Sequence, residues 1–146
     1  LLNYMEHDLR MRRGNIKENK NLNTIEKKKN IKIEQRNSKM YTKELYRGDN
    51  YCLIIRGKVD GITDENNIIE TKNRTRRLFN ELRDYEQVQL ECYMFLTGLN
   101  DAMLLEHYNE ESNCIKYSHN EEFWIMCKEN IIKFIDTYIS PHIINQ

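Results

Sequence analysis

A β-hairpin is predicted by GKVDGITDENNIIETK, residues 57–72. Side chains two residues apart in a strand point to the same face, so Glu70 and Lys72 project together while Thr71 faces away. An odd number of loop residues, such as 63–67, places Asp60 on the face that carries Glu70. The hairpin therefore predicts two carboxylates and one ammonium group converging on one face of a sheet.

This set of side chains suits a divalent metal and a phosphate. Paired carboxylates supply the hard oxygen ligands that Mg²⁺ prefers, and the metal neutralises phosphate charge and lowers the pKa of a bound water. Adjacent carboxylates raise the pKa of a lysine, which favours an electrostatic role for Lys72 over that of a neutral base. Taken alone the pattern is common, because Asp-Gly is a frequent turn dipeptide and Glu-x-Lys also occurs on solvent-facing strands.

The rest of the chain predicts helices around these strands. In chain order, the predicted elements are one or two helices over residues 1–29 interrupted by Gly14, antiparallel strands over 31–72 with turns at 47–50 and 64–67, a helix over 84–96 stopped by Gly98, short strands at 102–108 and 114–117, and a last helix from about Asn120 that Pro141 closes. This order predicts an α/β fold, a central mixed β-sheet flanked by helices, in a single domain over 1–146.

Composition excludes some broad classes of protein. A chain of 146 residues is the size of one domain, and an aromatic fraction of 10% argues against disorder throughout. The 23 basic and 23 acidic residues cancel, so net charge alone gives no reason to expect nucleic acid. No apolar run is long enough for a membrane span or a signal core, which predicts an intracellular protein. The chain begins at Leu1 and not at Met, which predicts a fragment of a longer protein.

The cysteines and histidines give no metal pattern. The four cysteines contain no CxxC pair, so zinc, iron–sulfur and disulfide frameworks are disfavoured and free thiols are expected. The four histidines are scattered along the chain with no HxxxH spacing or cysteine partner. A histidine metal site is therefore not expected.

Four segments together are more specific than the hairpin alone. Their sequences are RGNIKEN at 13–19, VDG at 59–61, ETK at 70–72 and QVQLECY at 87–93. They resemble, in order, the Gly-x-x-x-Glu helix, the Pro-Asp-Gly and Glu-x-Lys motifs, and the Gln-Val-Gln helix of the PD-(D/E)xK nuclease superfamily. Within it, the chain is most similar to the phage lambda exonuclease type, also called YqaJ-like viral recombinase nucleases. The resemblance extends over about 13–139.

The sequence departs from that family in three ways. Val59 stands where the motif has proline, a position that is not a ligand. The segment between Glu18 and Asp60 is longer than usual, which affects the placement of Glu18. Most of the N-terminal region that such exonucleases use around the DNA end is missing, so end-processing and ring assembly are not carried over.

The resemblance implies a restriction-endonuclease-like core and a site for one or two Mg²⁺ or Mn²⁺ ions. Asp60 and Glu70 would bind metal, with the Thr71 carbonyl as an extra ligand and Glu18 holding a second ion. Lys72 would position the nucleophilic water, and Gln89 would steady that water or the Lys72 head group. The implied catalytic set is Asp60, Glu70, Lys72 and Gln89, and the implied metal set is Glu18, Asp60, Glu70 and Thr71.

Basic residues flank the implied site and predict contacts to DNA. Contacts of this kind bind phosphates without sequence preference. The candidate DNA-binding residues are Arg13, Lys17, Arg74, Arg76, Arg77 and Tyr93. Zero net charge is compatible with DNA binding, because acidic metal ligands offset basic contacts.

The function implied by the resemblance is a Mg²⁺-dependent deoxyribonuclease, a 5′-to-3′ exonuclease on duplex DNA used in recombination, replication or repair. Three alternatives stay open: a structure-specific or flap endonuclease, a non-catalytic DNA-binding or assembly module, and an RNA endonuclease. The complete catalytic set argues against an inactive module. Expected partners are DNA, a single-strand annealing protein and a second copy of the chain, with no membrane, in the cytoplasm or nucleus of the cell or of a viral host.

Overall fold

A computed structural model describes residues 2–36 and 38–143, with side chains from residue 16 onward. The elements are α1 (Leu2–Lys29), β1 (Ile33–Gln35), β2 (Tyr41–Arg47), β3 (Cys52–Gly57), β4 (Gly61–Thr63), β5 (Asn67–Asn73), α2 (Asp84–Thr97), β6 (Asp101–Tyr108), β7 (Glu111–Ser118), α3 (Glu121–Tyr138) and α4 (Ser140–Ile143). The α/β class predicted from the sequence is confirmed.

Five strands form a central mixed sheet in the order β1-β4-β5-β6-β7. Strands β5 and β6 are parallel, and the other neighbours in this sheet are antiparallel. Parallel strands need a crossover connection, and α2 supplies it. Strands β2 and β3 form a separate antiparallel hairpin. This arrangement is compatible with a restriction-endonuclease-like core.

Helices cover both faces of the sheet. Helix α1 packs Leu22 and Ile25 against one face, where Ile69 contributes from β5. Helix α2 packs Leu90 and Met94 against the other face, where Ile68 contributes. Because side chains alternate along a strand, the even-numbered residues of β5 face α2 and the odd-numbered residues face α1. Glu70 and Lys72 therefore lie on the α2 face, and Thr71 lies on the α1 face.

A third apolar cluster joins the β2–β3 hairpin to α3. It is centred on Leu45, Trp124 and Cys127, and the rings of Phe95 and Trp124 lie 5.3 Å apart. Asn120 caps the N-terminus of α3, and its side chain accepts a hydrogen bond from the Phe123 amide at 3.0 Å. The hairpin is thus held against the body of the fold next to α2.

Local signals set most helix ends, with two differences from the prediction. Helix α2 ends at Thr97 and is capped by Gly98, which has a φ of 77°. Helix α1 is one helix that continues through Gly14, since a single glycine costs only about 1 kcal/mol in a helix. Helix α3 ends at Tyr138, before Pro141, and the proline lies in the first turn of α4, where it is tolerated.

The cysteines are free thiols, with Cys127 buried and the other three half-buried. No helix among the described residues is long and apolar enough to cross a membrane.

Candidate active site

The hairpin of β4 and β5 has the parity that the loop length predicts. Gly61 pairs with Ile69 and Ile62 pairs with Ile68, so residues 63–67 form the loop between the two strands. Glycine is needed at 61 for a reason the sequence did not reveal: a Cβ there would lie 2.7 Å from Cγ2 of Ile33. The close approach of β1, and not a turn, therefore requires the glycine beside Asp60.

Three polar side chains meet on the α2 face of the sheet. The Lys72 Nζ donates hydrogen bonds to Glu70 Oε1 at 2.6 Å and to Gln89 Oε1 at 2.8 Å. The Gln89 Nε2 donates to the same Glu70 oxygen at 3.0 Å. These residues come from β5 and α2, so the closed triangle they form depends on how α2 packs against the sheet. We call Glu70, Lys72 and Gln89 the Glu70 cluster.

Tyr93 fixes the orientation of the glutamine amide. The Gln89 Nε2 also donates to the Tyr93 hydroxyl at 2.9 Å, one helical turn along α2. Burial first, and then the charge of Glu70, raises the pKa of Tyr93 to about 12, so its hydroxyl stays neutral. Tyr93 was expected to contact DNA, whereas the structure gives it a hydrogen bond within the site.

Glu70 is held in an unfavourable environment. It is 5% exposed, and its Oε2 atom is buried without a hydrogen-bond partner among the described residues. Burial first, and then the charge of Asp60, raises the pKa of Glu70 to about 7, although Lys72 and Gln89 act in the opposite direction. A buried carboxylate with an unpartnered oxygen beside a second carboxylate fits a bound cation, because a cation satisfies that oxygen and neutralises the repulsion.

Asp60 is anchored by Thr71. Its Oδ2 accepts hydrogen bonds from the Thr71 amide at 2.7 Å and from the Thr71 Oγ1 at 2.9 Å. Strand β4 begins at Gly61, so none of its residues pairs with Thr71 in β5. The side chain of Asp60 accepts the Thr71 amide hydrogen bond in place of a strand partner. Sequence reasoning assigned only the carbonyl of Thr71 a role and missed its amide and hydroxyl.

The structure does not assemble the full set of predicted metal ligands. Among the described residues no three or more His, Cys, Asp or Glu side chains are grouped to hold a metal ion. Glu18 is half-buried. It precedes Leu22 by four residues and Ile25 by seven, a spacing that puts all three on the side of α1 that faces the sheet. That is the face opposite Glu70, so the two-carboxylate pair is the part of the set that the structure brings together.

Arg74 does not have the role predicted for it. Its side chain is 8% exposed; Nε donates to Glu106 at 2.7 Å and Nη1 donates to Glu86 at 2.5 Å. Both glutamates are fully buried. Arg74 is therefore a buried ion-pair residue and not an exposed phosphate contact, which corrects the prediction. We call Arg74, Glu86 and Glu106 the Arg74 cluster.

The other predicted DNA contacts differ in their positions. Arg76 and Arg77 are exposed and line a cavity of about 230 Å³ with Phe79 and Tyr85. Lys17 is exposed on α1. The side chain of Arg13 lies outside the described residues. Arg76, Arg77 and Lys17 are thus the predicted contacts that the structure presents to solvent.

The sequence analysis did not predict the Arg74 cluster. Glu106 interrupts the apolar run AMLLEHY at 102–108, and Glu86 lies in the first turn of α2. A charged residue inside an apolar strand is a signal, since buried charges in proteins are paired. The sequence does not say which of the arginines at 74, 76 and 77 is the partner.

Comparisons with known proteins bear on the fold. No family model matches the sequence, and no curated protein matches it. The fold is similar to the crystal structure of SSO0001, with a TM-score of 0.61 and 16% sequence identity over 85% of this chain. This chain spans 59% of that protein's chain. At this identity the similarity shows the fold alone.

Proposed function

We propose that this chain is a Mg²⁺-dependent deoxyribonuclease of the PD-(D/E)xK type, acting as a 5′-to-3′ exonuclease on duplex DNA. One observation carries the proposal. Lys72 and Gln89 hold one oxygen of Glu70, while its other oxygen is buried with no partner among the described residues, and Asp60 lies close enough to raise the pKa of Glu70. Residues from three of the four motifs therefore form one site, in which two carboxylates face a single ammonium group.

The residues divide the proposed reaction between them. Asp60 and Glu70 would hold the ion, with the Thr71 carbonyl as a further proposed ligand. The ion would supply neutralisation of phosphate charge and a water of lowered pKa. The ammonium of Lys72 orients the attacking water and stabilises the charge that develops on the phosphate. Gln89 keeps that ammonium in place through its carbonyl oxygen.

Exposed cations near the site support a phosphate backbone as the substrate. Arg76 and Arg77 follow β5 within five residues of Lys72. Contacts of arginine to phosphate add affinity by counterion release and carry no sequence preference. Binding should therefore weaken steeply as salt rises and should vary little with DNA sequence.

Cleavage assays on defined substrates test the proposal. Linear duplex DNA with 5′-phosphate ends should be degraded in Mg²⁺ or Mn²⁺ and spared in EDTA. If covalently closed circular DNA is cut as readily as linear DNA, the exonuclease assignment fails and an endonuclease takes its place. Faster cleavage of a matched RNA would make the chain an RNA endonuclease. Duplex binding without cleavage in any divalent metal would contradict catalysis and leave a DNA-binding module.

A further inference from the structure

Tyr85 presents an exposed ring beside the Glu70 cluster. It lies in the first turn of α2 and is 63% exposed, although tyrosine residues are usually at least half-buried. Gln89 follows it by four residues, and residues four apart share one face of a helix with Cβ atoms about 5 to 6 Å apart. The ring therefore lies on the side of α2 that carries Gln89, one helical turn away.

Two arginines of the loop between β5 and α2 lie next to this ring. Arg76 and Arg77 are exposed, and they line the cavity of about 230 Å³ together with Tyr85. The described residues around this cavity include no aspartate or glutamate; Glu81 and Asp84 line a neighbouring cavity instead. The charges of the two arginines therefore face an anion unopposed. We call Tyr85, Arg76 and Arg77 the Tyr85 platform.

The loop that carries these arginines is fixed by the Arg74 cluster. The amides of Phe79 and Asn80 donate hydrogen bonds to Glu106 at 3.0 and 2.9 Å. The guanidinium carbons of Arg74 and Arg83 lie 4.0 and 4.4 Å from the centre of the Phe79 ring. Because polar groups inside a protein are unfavourable when unpaired, these contacts set the path of the loop. A platform held in place before binding pays a smaller entropy cost when it takes up a ligand.

We propose that Tyr85 stacks on one unpaired base of a DNA strand while Arg76 and Arg77 bind the phosphates beside that base. Every base has a π face, so an exposed ring binds it with little sequence preference. Arginine binds phosphate oxygens through two parallel N–H groups. One ring between two cations suits a nucleotide better than a protein, since stable protein interfaces bury about 800 Å² on each partner.

The position of Tyr85 gives the platform a role at the Glu70 cluster, an assignment that rests on the proposed function. One helical turn separates Tyr85 from Gln89, which contacts both Lys72 and Glu70. Phosphates recur about every 3.4 Å along each strand of a duplex. A base stacked on Tyr85 therefore brings a phosphodiester one or two nucleotides away to Lys72. The strand to be cut is consequently unpaired at that base.

Binding of two matched single strands in EDTA tests the platform without cleavage. One strand is a short oligothymidylate, and the other has the same length and phosphates but carries abasic sites in place of the bases. Fluorescence anisotropy of a label at one end measures the affinity of the full chain for each. We expect about tenfold tighter binding of the strand that carries bases, since stacking of one base contributes a factor of this size.

Variants separate the ring from the arginines. Tyr85→Ala should lose the preference for bases, and Tyr85→Phe should keep it, because stacking needs the ring and not the hydroxyl. Tyr138→Ala removes an equally exposed ring from α3 and should keep the preference as well. Arg76→Gln/Arg77→Gln should lower the slope of log affinity against log salt by about 1.4, or roughly 0.7 for each phosphate contact on a single strand. Tyr85→Ala should leave that slope unchanged.

Equal binding of the two strands by the wild type, or a preference for bases that survives in Tyr85→Ala, would overturn the stacking role. A salt slope that is unchanged in Arg76→Gln/Arg77→Gln would overturn the phosphate contacts. No binding of either strand would contradict a nucleic acid as the occupant, and tighter binding of a matched RNA would contradict DNA. Because no step requires cleavage, failure of the nuclease proposal would leave the stacking result intact.

Discussion

The Glu70 cluster and the Arg74 cluster both pair buried carboxylates with a cation, but their carboxylates are satisfied to different degrees. In the Arg74 cluster all four carboxylate oxygens accept hydrogen bonds, from the Arg74 guanidinium and from the amides of the loop that precedes α2. In the Glu70 cluster one carboxylate oxygen accepts hydrogen bonds from both donors, and the other is buried with no partner in the part of the chain that the structure describes. The two clusters are neighbours, because Lys72 pairs in register with Glu106.

The carboxylate pKa values separate the two clusters in the same way. Burial raises the pKa of Glu106, but hydrogen bonds from Phe79, Arg74 and Asn80 outweigh it and leave that pKa below its ordinary value. Burial and Asp60 raise the pKa of Glu70 to about 7. A buried carboxylate whose oxygens all accept hydrogen bonds stabilises the fold, whereas one with an unpartnered oxygen keeps an energetic deficit that a ligand can offset. The comparison therefore assigns a structural role to the Arg74 cluster and supports the catalytic role proposed for the Glu70 cluster.

Removing the ammonium group of Lys72 from the Glu70 cluster should have the largest effect on activity. Lys72→Ala should lower turnover about a hundredfold or more, because the group that stabilises developing charge is lost. Excess Mn²⁺ should not restore the turnover of Lys72→Ala. It should partly restore the turnover of Glu70→Ala, because that variant lacks a metal ligand. Single-turnover kinetics on linear duplex DNA measure both, with Lys116→Ala as a charge-matched control. Lys72→Ala with the turnover of the control would contradict the assigned role.

Removing the cation of the Arg74 cluster should act on stability. Arg74→Ala leaves two fully buried carboxylates without their shared cation, which should lower the free energy of unfolding by about 3 to 5 kcal/mol. Urea denaturation measures the change. Arg76→Ala, at an exposed position two residues away, should stay within about 0.5 kcal/mol of the wild type. Equal effects of the two substitutions would show that Arg74 is not a structural cation.

The two clusters should respond to pH with opposite sign. The folded-state pKa of Glu70 is about 7, above the ordinary 4.5, so its contribution to stability is fully present below pH 4.5 and is lost as the pH rises through 7. The loss should be on the order of 3 kcal/mol in EDTA. The lowered pKa of Glu106 gives a contribution that is present above pH 4.5 and is lost only on further acidification.

Between pH 4.5 and 8 the comparison of wild type with Glu70→Gln isolates the Glu70 contribution. Wild type should lose more stability than the variant over this range, as measured by urea denaturation at each pH. Parallel curves for the two proteins would mean that the carboxylate of Glu70 is not destabilised by its surroundings.

A single hydroxyl should have the smallest effect. Tyr93→Phe removes one acceptor from the Gln89 amide and leaves its bonds to Glu70 and Lys72 in place. A lost hydrogen bond of about 1 kcal/mol corresponds to a roughly fivefold lower turnover. Tyr138→Phe, at an exposed position on α3, should have wild-type turnover. If the two variants have the same turnover, Tyr93 does not help to orient Gln89.

Local patterns predicted the parts of the site that depend on one or two elements. The alternation of a strand put Glu70 and Lys72 on one face, and the predicted loop of residues 63–67 agrees with the register of β4 and β5. The Arg74 cluster could not be predicted, because burial of Arg74 and exposure of Arg76 depend on carboxylates 12 and 32 residues away. The anchoring of Asp60 depends on where β4 begins, and the glycine at 61 depends on the approach of β1. Tertiary packing determines these features, and local sequence patterns do not specify it.

The central claim is that Asp60 and Glu70 form a site for a divalent metal ion. Anomalous diffraction from crystals of the full chain soaked in Mn²⁺ tests it most directly. The account predicts a peak between the two carboxyl groups, with oxygen ligands at about 2.0 to 2.3 Å, and loss of that peak in Glu70→Ala. No peak at that position in saturating Mn²⁺ would contradict the claim, as would a tetrahedral site built from cysteine and histidine elsewhere in the chain.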